Sequence, residues 1–583
     1  LVETDETLVT VVGKKIWNGS QSKTWTNPNN WTPVGVPLPS DCIVIPNTSS
    51  DPIISSTTDA TGYNLEIKDG SVVTQQPNTT LTIEDRIVIS PNGSLEVQDD
   101  ASVIQITDVL TNQNIGAAKV QRQATDVENY DYVYWSAPVE NFAVELISPG
   151  TPASVIYEWI PTTNNGTLGN HGNWVNSSGN MIPGKGYIVR GLLGTTIANT
   201  AEFQGRLNNG RISFPIYRGT YTGASYSGIG NTSTADDDNW NLLGNPYPSA
   251  ISLVDFVSAN PAIDGTLYFW RHLNALDSGI SIPFYGNYTY NYDSNDYIAA
   301  NALGSSPPGF NDYIASGQGF FARMLDSAPT PNNVTFSNTM RNSRYGNGGF
   351  YRNATTDVEE KHRIWLDMVR NGNTAISILV GFADGATNDI DRLFDGVSIN
   401  DSENQFYSLV SDKTLTIQGK ALPFDDSETF TLGYKVPTSG SFTISINQLD
   451  GLFADSSQDI YLEDTELGII HNLRANPYAF TTDEGTFNNR FILRFSPETL
   501  STTDREIPSD VIIRSINKTI DASSTLSTIK TFELFDVTGR VIHKNLRVNN
   551  TNYNYQTNNL SSGTYVVKVS LDNGAVVTKK LIL

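Results

Sequence analysis

The sequence predicts an all-β, multidomain chain, and three observations carry that prediction. Short apolar runs alternate with period two from one end to the other, and clusters of Gly, Asn and Ser bound them. The composition favours strands, with 26 Tyr and 9 Trp in a chain that is 38% apolar. At 583 residues the chain is too long for one core, so about four domains are expected. The expected architecture is a short β-solenoid, duplicated β units, a β-sandwich or jelly roll, and a small C-terminal immunoglobulin-like β-sandwich.

Residues 1–13 read as a linker. They lack the basic start and apolar core of a signal peptide, so the sequence is expected to be the C-terminal portion of something longer. Residues 14–118 open with Trp17, Trp25 and Trp31, then carry apolar doublets at Leu65/Ile67, Leu81/Ile83 and Leu95/Val97 with Gly or Asn turns between them. Such doublets fit solenoid rungs, each unable to bury its face without a neighbour. The tryptophans would cap the first rung, the competing reading being rings that stack on sugars.

Residues 119–345 suggest a duplication, with halves of about 119–230 and 231–345. Tyr157-Glu158-Trp159 and Gly184-Lys185-Gly186-Tyr187 precede Phe203 in the first half. Tyr268-Phe269-Trp270 and Gly317-Gln318-Gly319-Phe320 precede Phe336 in the second. From the first glycine of each Gly-x-Gly run to the later phenylalanine is nineteen residues in both halves. Each run reads as a tight turn feeding a strand. A phosphate-cradling loop would need a third glycine and a following helix, and neither is present.

Residues 356–500 alternate at Ile364/Leu366/Met368, Ile376/Ile378/Val380 and Phe442/Ile444/Ile446, as a sandwich of about eight strands would. Residues 501–510, STTDREIPSD, are a polar linker. Residues 511–583 form the last small antiparallel sandwich. Their runs TFELFDVTGRVIHKN and NLSSGTYVVKVSLDNGAVVTKKLIL turn at Gly539, near Gly563 and at Asn573-Gly574.

That last segment, through LFDVTGRVI and LSSGTYVVKVSLDNGAVVTKKLIL, resembles the C-terminal sorting domain of proteins exported by the type IX secretion system of Bacteroidetes. The phrases DYVYWSAPV, GNPYPSAI and GQGFFAR are similar to parts of large secreted flavobacterial proteins. The resemblance implies export through the periplasm and outer membrane to the cell surface or medium. It implies as partners the type IX translocon and its outer-membrane shuttle and sortase components. Adhesin-like and gliding-motility roles accompany such proteins. Gly539, Arg540, Gly563, Tyr565, Lys579 and Lys580 match the family pattern and are the expected recognition features.

Net charge is −24, which argues against nucleic acid and against bare anionic lipid, on the expectation that no segment supplies a basic face. No apolar run reaches the roughly twenty residues of a membrane helix. Cys42 is the single cysteine, so intrachain disulfides are excluded. The five histidines form no zinc pattern and no nucleophile elbow is present, so no catalytic residue is expected within this chain. Acidic loops are numerous, and DGATNDIDRLFDG is the best candidate for calcium, through Asp389, Asp391 and Asp395. The sequence therefore reads as a secreted surface protein, adhesive or structural. The alternative is a set of glycan-binding modules attached to a polysaccharide-degrading enzyme whose catalytic domain lies upstream.

Overall fold

A computed structural model of the chain describes all residues except 1–12, 56–58, 125–126, 128–130, 164–168, 171, 192–198, 222–225, 229–230, 234–237, 272–293, 311, 344, 348–359, 371–374, 400–403, 456, 498–510, 517, 526, 537–539, 559, 562, 573–575 and 583. The fold is all-β. Among the described residues one α-helix occurs, Leu253–Ala259, whose first turn is capped by the Ser252 hydroxyl accepting from the Asp255 amide. The chain divides into two compact units, Leu1–Phe495 and Ser496–Leu583.

The larger unit begins with a parallel solenoid of three faces. One face stacks Gly13–Trp17, Asp41–Ile45, Asn64–Ile67 and Ile87–Ile89. The second stacks Ile53–Ile54, Val72–Gln75, Ser94–Val97 and Ala118–Ala124, and the third Ala60–Gly62, Thr80–Ile83 and Ser102–Gln105. Leu65 sits over Ile87, Val73 under Leu95 and Leu81 under Val103. The rung is therefore a three-strand turn of 22 residues, the separation that also spans the Arg86–Asn64 bond between rungs. The doublets at Leu65, Leu81 and Leu95, expected to be successive rungs, instead lie on three different faces. All six of their side chains are 0–1% exposed, because every inward position on every face fills the same core.

Both ends of the solenoid are covered, which removes the open edges that would template aggregation. At the start, Trp17 and Trp25 each meet Trp31 edge-on, with centroids 5.1 and 4.8 Å apart. The Trp17 and Trp31 indole N–H groups donate to the carbonyls of Ser50 (2.7 Å) and Trp25 (2.8 Å). At the far end, Ala118–Ala124 pairs antiparallel with Asn199–Gly205. The last strand of the third face is sealed by residues far along the chain. Val103 N–H donates to the Pro248 carbonyl at 2.8 Å, Arg341 donates to Val103 O, and the Asn347 amide donates to Ala101 O at 2.7 Å.

Two antiparallel sheets follow. In the first the order is Tyr132–Trp135, Tyr187–Arg190, Ile156–Ile160, Asn173–Asn176. In the second it is Trp240–Gly244, Gly319–Met324, Ile263–Trp270, Tyr297–Ala300, Ser305–Ser306. Trp135 faces Tyr187 as Leu243 faces Phe320, and Tyr157 faces Ile188 as Tyr268 faces Phe321. Phe203 pairs with Val120 in one long-range antiparallel strand pair, and Phe336 with Ile212 in the other. Gly184 and Gly317 both take positive φ, 86° and 70°, in the turns that lead into the equivalent strands. The strand Ile212–Ile216, within the expected first half, pairs with Asn332–Phe336 of the second. We propose that this correspondence records an internal duplication. The two sheets also join reciprocally: Ser136 N–H donates to Gly317 O (2.7 Å), and Gly244 N–H donates to Gly184 O (3.1 Å).

The remainder of this unit is an eleven-stranded sheet running from Lys361–Arg370 to Gly485–Arg494, more strands than the eight expected. It folds around a core of Ile364, Leu366, Val380, Phe382, Phe430, Leu432, Phe491 and Leu493. Contacts tie it to the preceding sheets closely enough that residues from the solenoid to Phe495 form one compact unit. The smaller unit is a sandwich of two antiparallel sheets. One holds Val511–Ile516, Thr519–Ser524 and Asn552–Gln556. The other runs Val541–Asn545, Ile529–Asp536, Thr564–Leu571, Val576–Ile582. Ile513, Ile520, Ile529, Phe532, Leu534, Val567 and Val569 fill the space between them.

Candidate recognition surfaces

In the smaller unit, the residues singled out by motif separate into buried and exposed positions. Tyr565 is 7% exposed and donates its hydroxyl to the Ser561 carbonyl at 3.0 Å, tying the entry of its strand to the preceding loop. Arg540 precedes the strand Val541–Asn545 and reaches solvent, its side chain 76% exposed. Its Nε and its backbone N–H both donate to the Asp536 carboxylate at 3.0 Å, leaving the guanidinium open to solvent. Gly539 lies outside the described residues. Gly563 is exposed and does not adopt a left-handed φ, so its place in the motif is not one that backbone strain demands. Lys579 is exposed on the last strand opposite Val567, and the Lys580 backbone pairs opposite Val566. That strand forms the sheet edge, with Val577 partly and Leu581 largely buried.

The acidic loop of the larger unit brings two of its three carboxylates together. Asp395 is 6% exposed; its Oδ2 accepts from the Asp391 N–H (2.6 Å) and its Oδ1 from the Gly419 N–H (2.9 Å). Burial pushes its carboxyl up to about 6, with the Asp391 carboxylate adding to the rise and the two amide bonds opposing it. Asp391 in turn accepts from the Thr387 N–H. Asp389 enters this network through its backbone carbonyl, which accepts from the Thr387 hydroxyl at 3.2 Å. Among the described residues, no three His, Cys, Asp or Glu side chains gather as a metal site. The loop takes its shape from backbone amides bonded to carboxylates.

The aromatic residues serve as packing. Trp17, Trp25 and Trp31 are 0–1% exposed, so the sugar-stacking reading of these rings is corrected: the solenoid core occupies their faces. Phe321, 4% exposed, is met edge-on by Trp159, Trp174, Trp240, Tyr134 and Tyr297 at 5.6 to 6.2 Å, from strands of both antiparallel sheets. Edge-to-face contact suits the ring quadrupoles and adds to the area buried. The Trp159 indole N–H is satisfied by the Trp240 carbonyl at 2.8 Å. Beside this cluster lies a cavity of about 60 Å³ bounded by Tyr268, Tyr297, Ser306 and Ser398, room for a few waters.

Sequence reasoning missed the buried ion network of the eleven-stranded sheet. Asp464 is 0% exposed and lies 2.9 Å from Arg490, with Tyr478 donating to the same carboxylate at 2.9 Å. Its signal was legible: Asp464 follows Leu462 at period two, so it occupies an inward position where only a paired charge survives. Arg122 was also missed. Fully buried, it pairs with Asp99 (2.7 Å) and donates to the Ser316 and Asn347 carbonyls at 3.0 and 2.7 Å. No helix among the described residues is long and apolar enough to cross a membrane.

Two family models match the chain. The Domain of unknown function (DUF8693) matches residues 16–495, and a second Domain of unknown function (DUF8694) matches residues 500–583. The chain is similar to the Minor fimbrium subunit Mfa5 of Porphyromonas gingivalis, 20% identical over 289 residues. That covers 47% of this chain and 22% of the relative, so the chain spans about a fifth of the length of the curated protein it matches. Among solved structures, a Biofilm associated protein BSP domain aligns over 82% of this chain and 97% of its own. Identity is 8% and the TM-score 0.11, too low to carry an argument about fold.

Proposed function

The chain belongs to the family of the Domain of unknown function (DUF8693), and on that premise we propose that it is a bacterial cell-surface protein of adhesive or structural role. On this reading it is exported by the type IX secretion system through residues 511–583. The observation that carries the surface reading is the similarity to a fimbrium subunit from Porphyromonas. Support for the route comes from the sorting-domain motifs, which fall on a self-contained sandwich. Arg540 and Lys579 stand exposed on it, and Tyr565 holds its fold.

A body built from packed β layers, with its aromatic side chains spent on those layers, suits a structural or adhesive part better than a catalytic one. Partners on this reading are the translocon and its outer-membrane shuttle and sortase components.

The test fuses residues 501–583 behind a signal peptide and a fluorescent protein in a bacterium that carries the type IX system. The expected result is reporter at the surface or in the medium, and periplasmic retention when Arg540 and Lys579 are both changed to Glu. A reporter that stays periplasmic while a native cargo is exported overturns the route. Immunofluorescence on intact cells with antibody to the larger unit tests the surface location separately.

A further inference from the structure

The whole-chain charge of −24 conceals a local inversion. Residues 511–583 carry nine lysines and arginines against four carboxylates, so this module is basic, and the expectation that no segment supplies a basic face is corrected. Three of the four carboxylates are already paired: Asp521 with Arg514, Asp536 with Arg540, Glu533 with Lys544. The surplus cations are therefore free to face outward.

Two of them, Lys530 and Arg547, lie along one edge beside the paired but exposed Arg540 and Lys544. The strand Val541–Asn545 is outermost in its sheet, pairing only with Ile529–Asp536 among the described strands. Arg540 precedes it, Lys544 sits on it with its side chain 45% exposed, and Arg547 follows it, exposed. Lys530, also exposed, lies alongside, since its carbonyl accepts from the Val548 N–H at 3.0 Å. Between these cations stand two apolar side chains that the core does not claim, Val541 at 49% and Leu546 at 56% exposure.

We propose that this edge docks on an anionic lipid bilayer, with the cations on the headgroups and Val541 and Leu546 entering the boundary between headgroups and acyl chains. Cations flanking exposed apolar residues are the composition of an interfacial anchor. Four cations spread along a strand edge, with no pocket among the described residues gathering them, suit a diffuse negative surface better than a single bound anion. The proposal is independent of the export route.

The test is flotation of the full chain with vesicles of phosphatidylcholine alone and of phosphatidylcholine mixed with phosphatidylglycerol, at low and high salt. Binding is expected on the mixed vesicles only, and to be lost at high salt. The double variant Lys544→Gln/Arg547→Gln is expected to bind about tenfold more weakly, or worse, and Leu546→Ser severalfold more weakly. Unchanged melting of each variant verifies its fold. Equal binding to both vesicle types, or a double variant that binds like the parent, overturns the proposal. So does complete competition by dextran sulfate combined with no effect of Leu546→Ser, which assigns the edge to a soluble polyanion.

Discussion

Asp464 and Arg490 form a buried ion pair at the seam of the eleven-stranded sheet, 2.9 Å apart, with side chains 0% and 8% exposed. Asp464 ends the strand Tyr461–Asp464. Arg490 lies within Gly485–Arg494 and donates at 2.9 Å to the Thr481 carbonyl on Tyr478–Thr482, the strand at the opposite margin of the sheet. The pair thus draws two margins of one sheet over a common core.

Replacing Asp464 by Asn leaves Arg490 with the exposed Glu466 as its charge partner, 3.3 Å away, and removal of one partner from a buried pair costs about 3–5 kcal/mol. Urea unfolding of Asp464→Asn is expected to show a loss in that range. The change Arg494→Gln is expected to cost less, because the carboxylate it pairs with, Glu463, keeps partial access to water. Equal losses for the two variants contradict the role given to the seam.

The pH dependence has two opposed parts. Burial would raise the Asp464 carboxyl, but the hydrogen bonds from Arg490 and Tyr478 outweigh it and hold the carboxyl below its usual value. Its stabilisation is therefore present above the unfolded value near 3.8 and is lost as pH falls through the lower folded value. Asp395 is the reverse: its folded value of about 6 exceeds the unfolded 3.8, so stability is gained as pH falls from 7 toward 4. Asp264, also raised to about 6 by burial against the pull of Arg323, adds to that gain. Melting temperature is expected to rise from pH 7 to about 5 and to fall below about 4. Asp395→Asn should flatten the upper limb, and a wild-type profile with no rise there refutes the assignment.

Gly244 and Gly186 stand where the two corresponding sheets meet. A Cβ on Gly244 would lie 2.4 Å from the Ser136 Cβ, and one on Gly186 would lie 2.6 Å from the Leu243 carbonyl oxygen. Alanine at either position forces the sheets apart, at a cost of about 1–3 kcal/mol. Gly179, whose added Cβ meets nothing within 4 Å but whose φ is 81°, is the control for backbone strain alone. Denaturant midpoints of the three alanine variants separate crowding from strain.

Calcium at Asp389, Asp391 and Asp395 would need the Asp389 carboxylate to join a network it enters through its backbone carbonyl. Millimolar calcium is expected to leave the melting temperature unchanged, and a chelator likewise. A clear upward shift with calcium, abolished in Asp391→Asn, establishes the ion site.

Much of the fold was legible because strand burial writes itself into alternation. Leu65/Ile67, Ile364/Leu366 and Phe442/Ile444 all fall inward. The rung of the solenoid was not legible, since three faces with the same period-two pattern cannot be told apart by spacing alone. Nor was the unity of the larger unit. The groups that bind it, Arg122 to Asn347 or Asn338 to Thr107, are 225 and 231 residues apart, and each is a single polar side chain with no local pattern around it. For the candidate surfaces, the motif residues were found by resemblance. The basic edge was missed because a whole-chain charge averages a small cationic module into a large acidic body.

The seal on the solenoid sets an order of events during synthesis. Val103 and Ala101 receive their last partners from Arg341 and Asn347, which are 238 and 246 residues later in the chain. At roughly 5–20 residues per second, the ribosome needs on the order of 10–50 s to supply them. Throughout that delay the terminal rung has unpaired backbone groups and an uncovered apolar flank. A holding factor that engages the nascent chain would therefore find its longest-lived client surface here, between the emergence of Gln105 and that of Asn347.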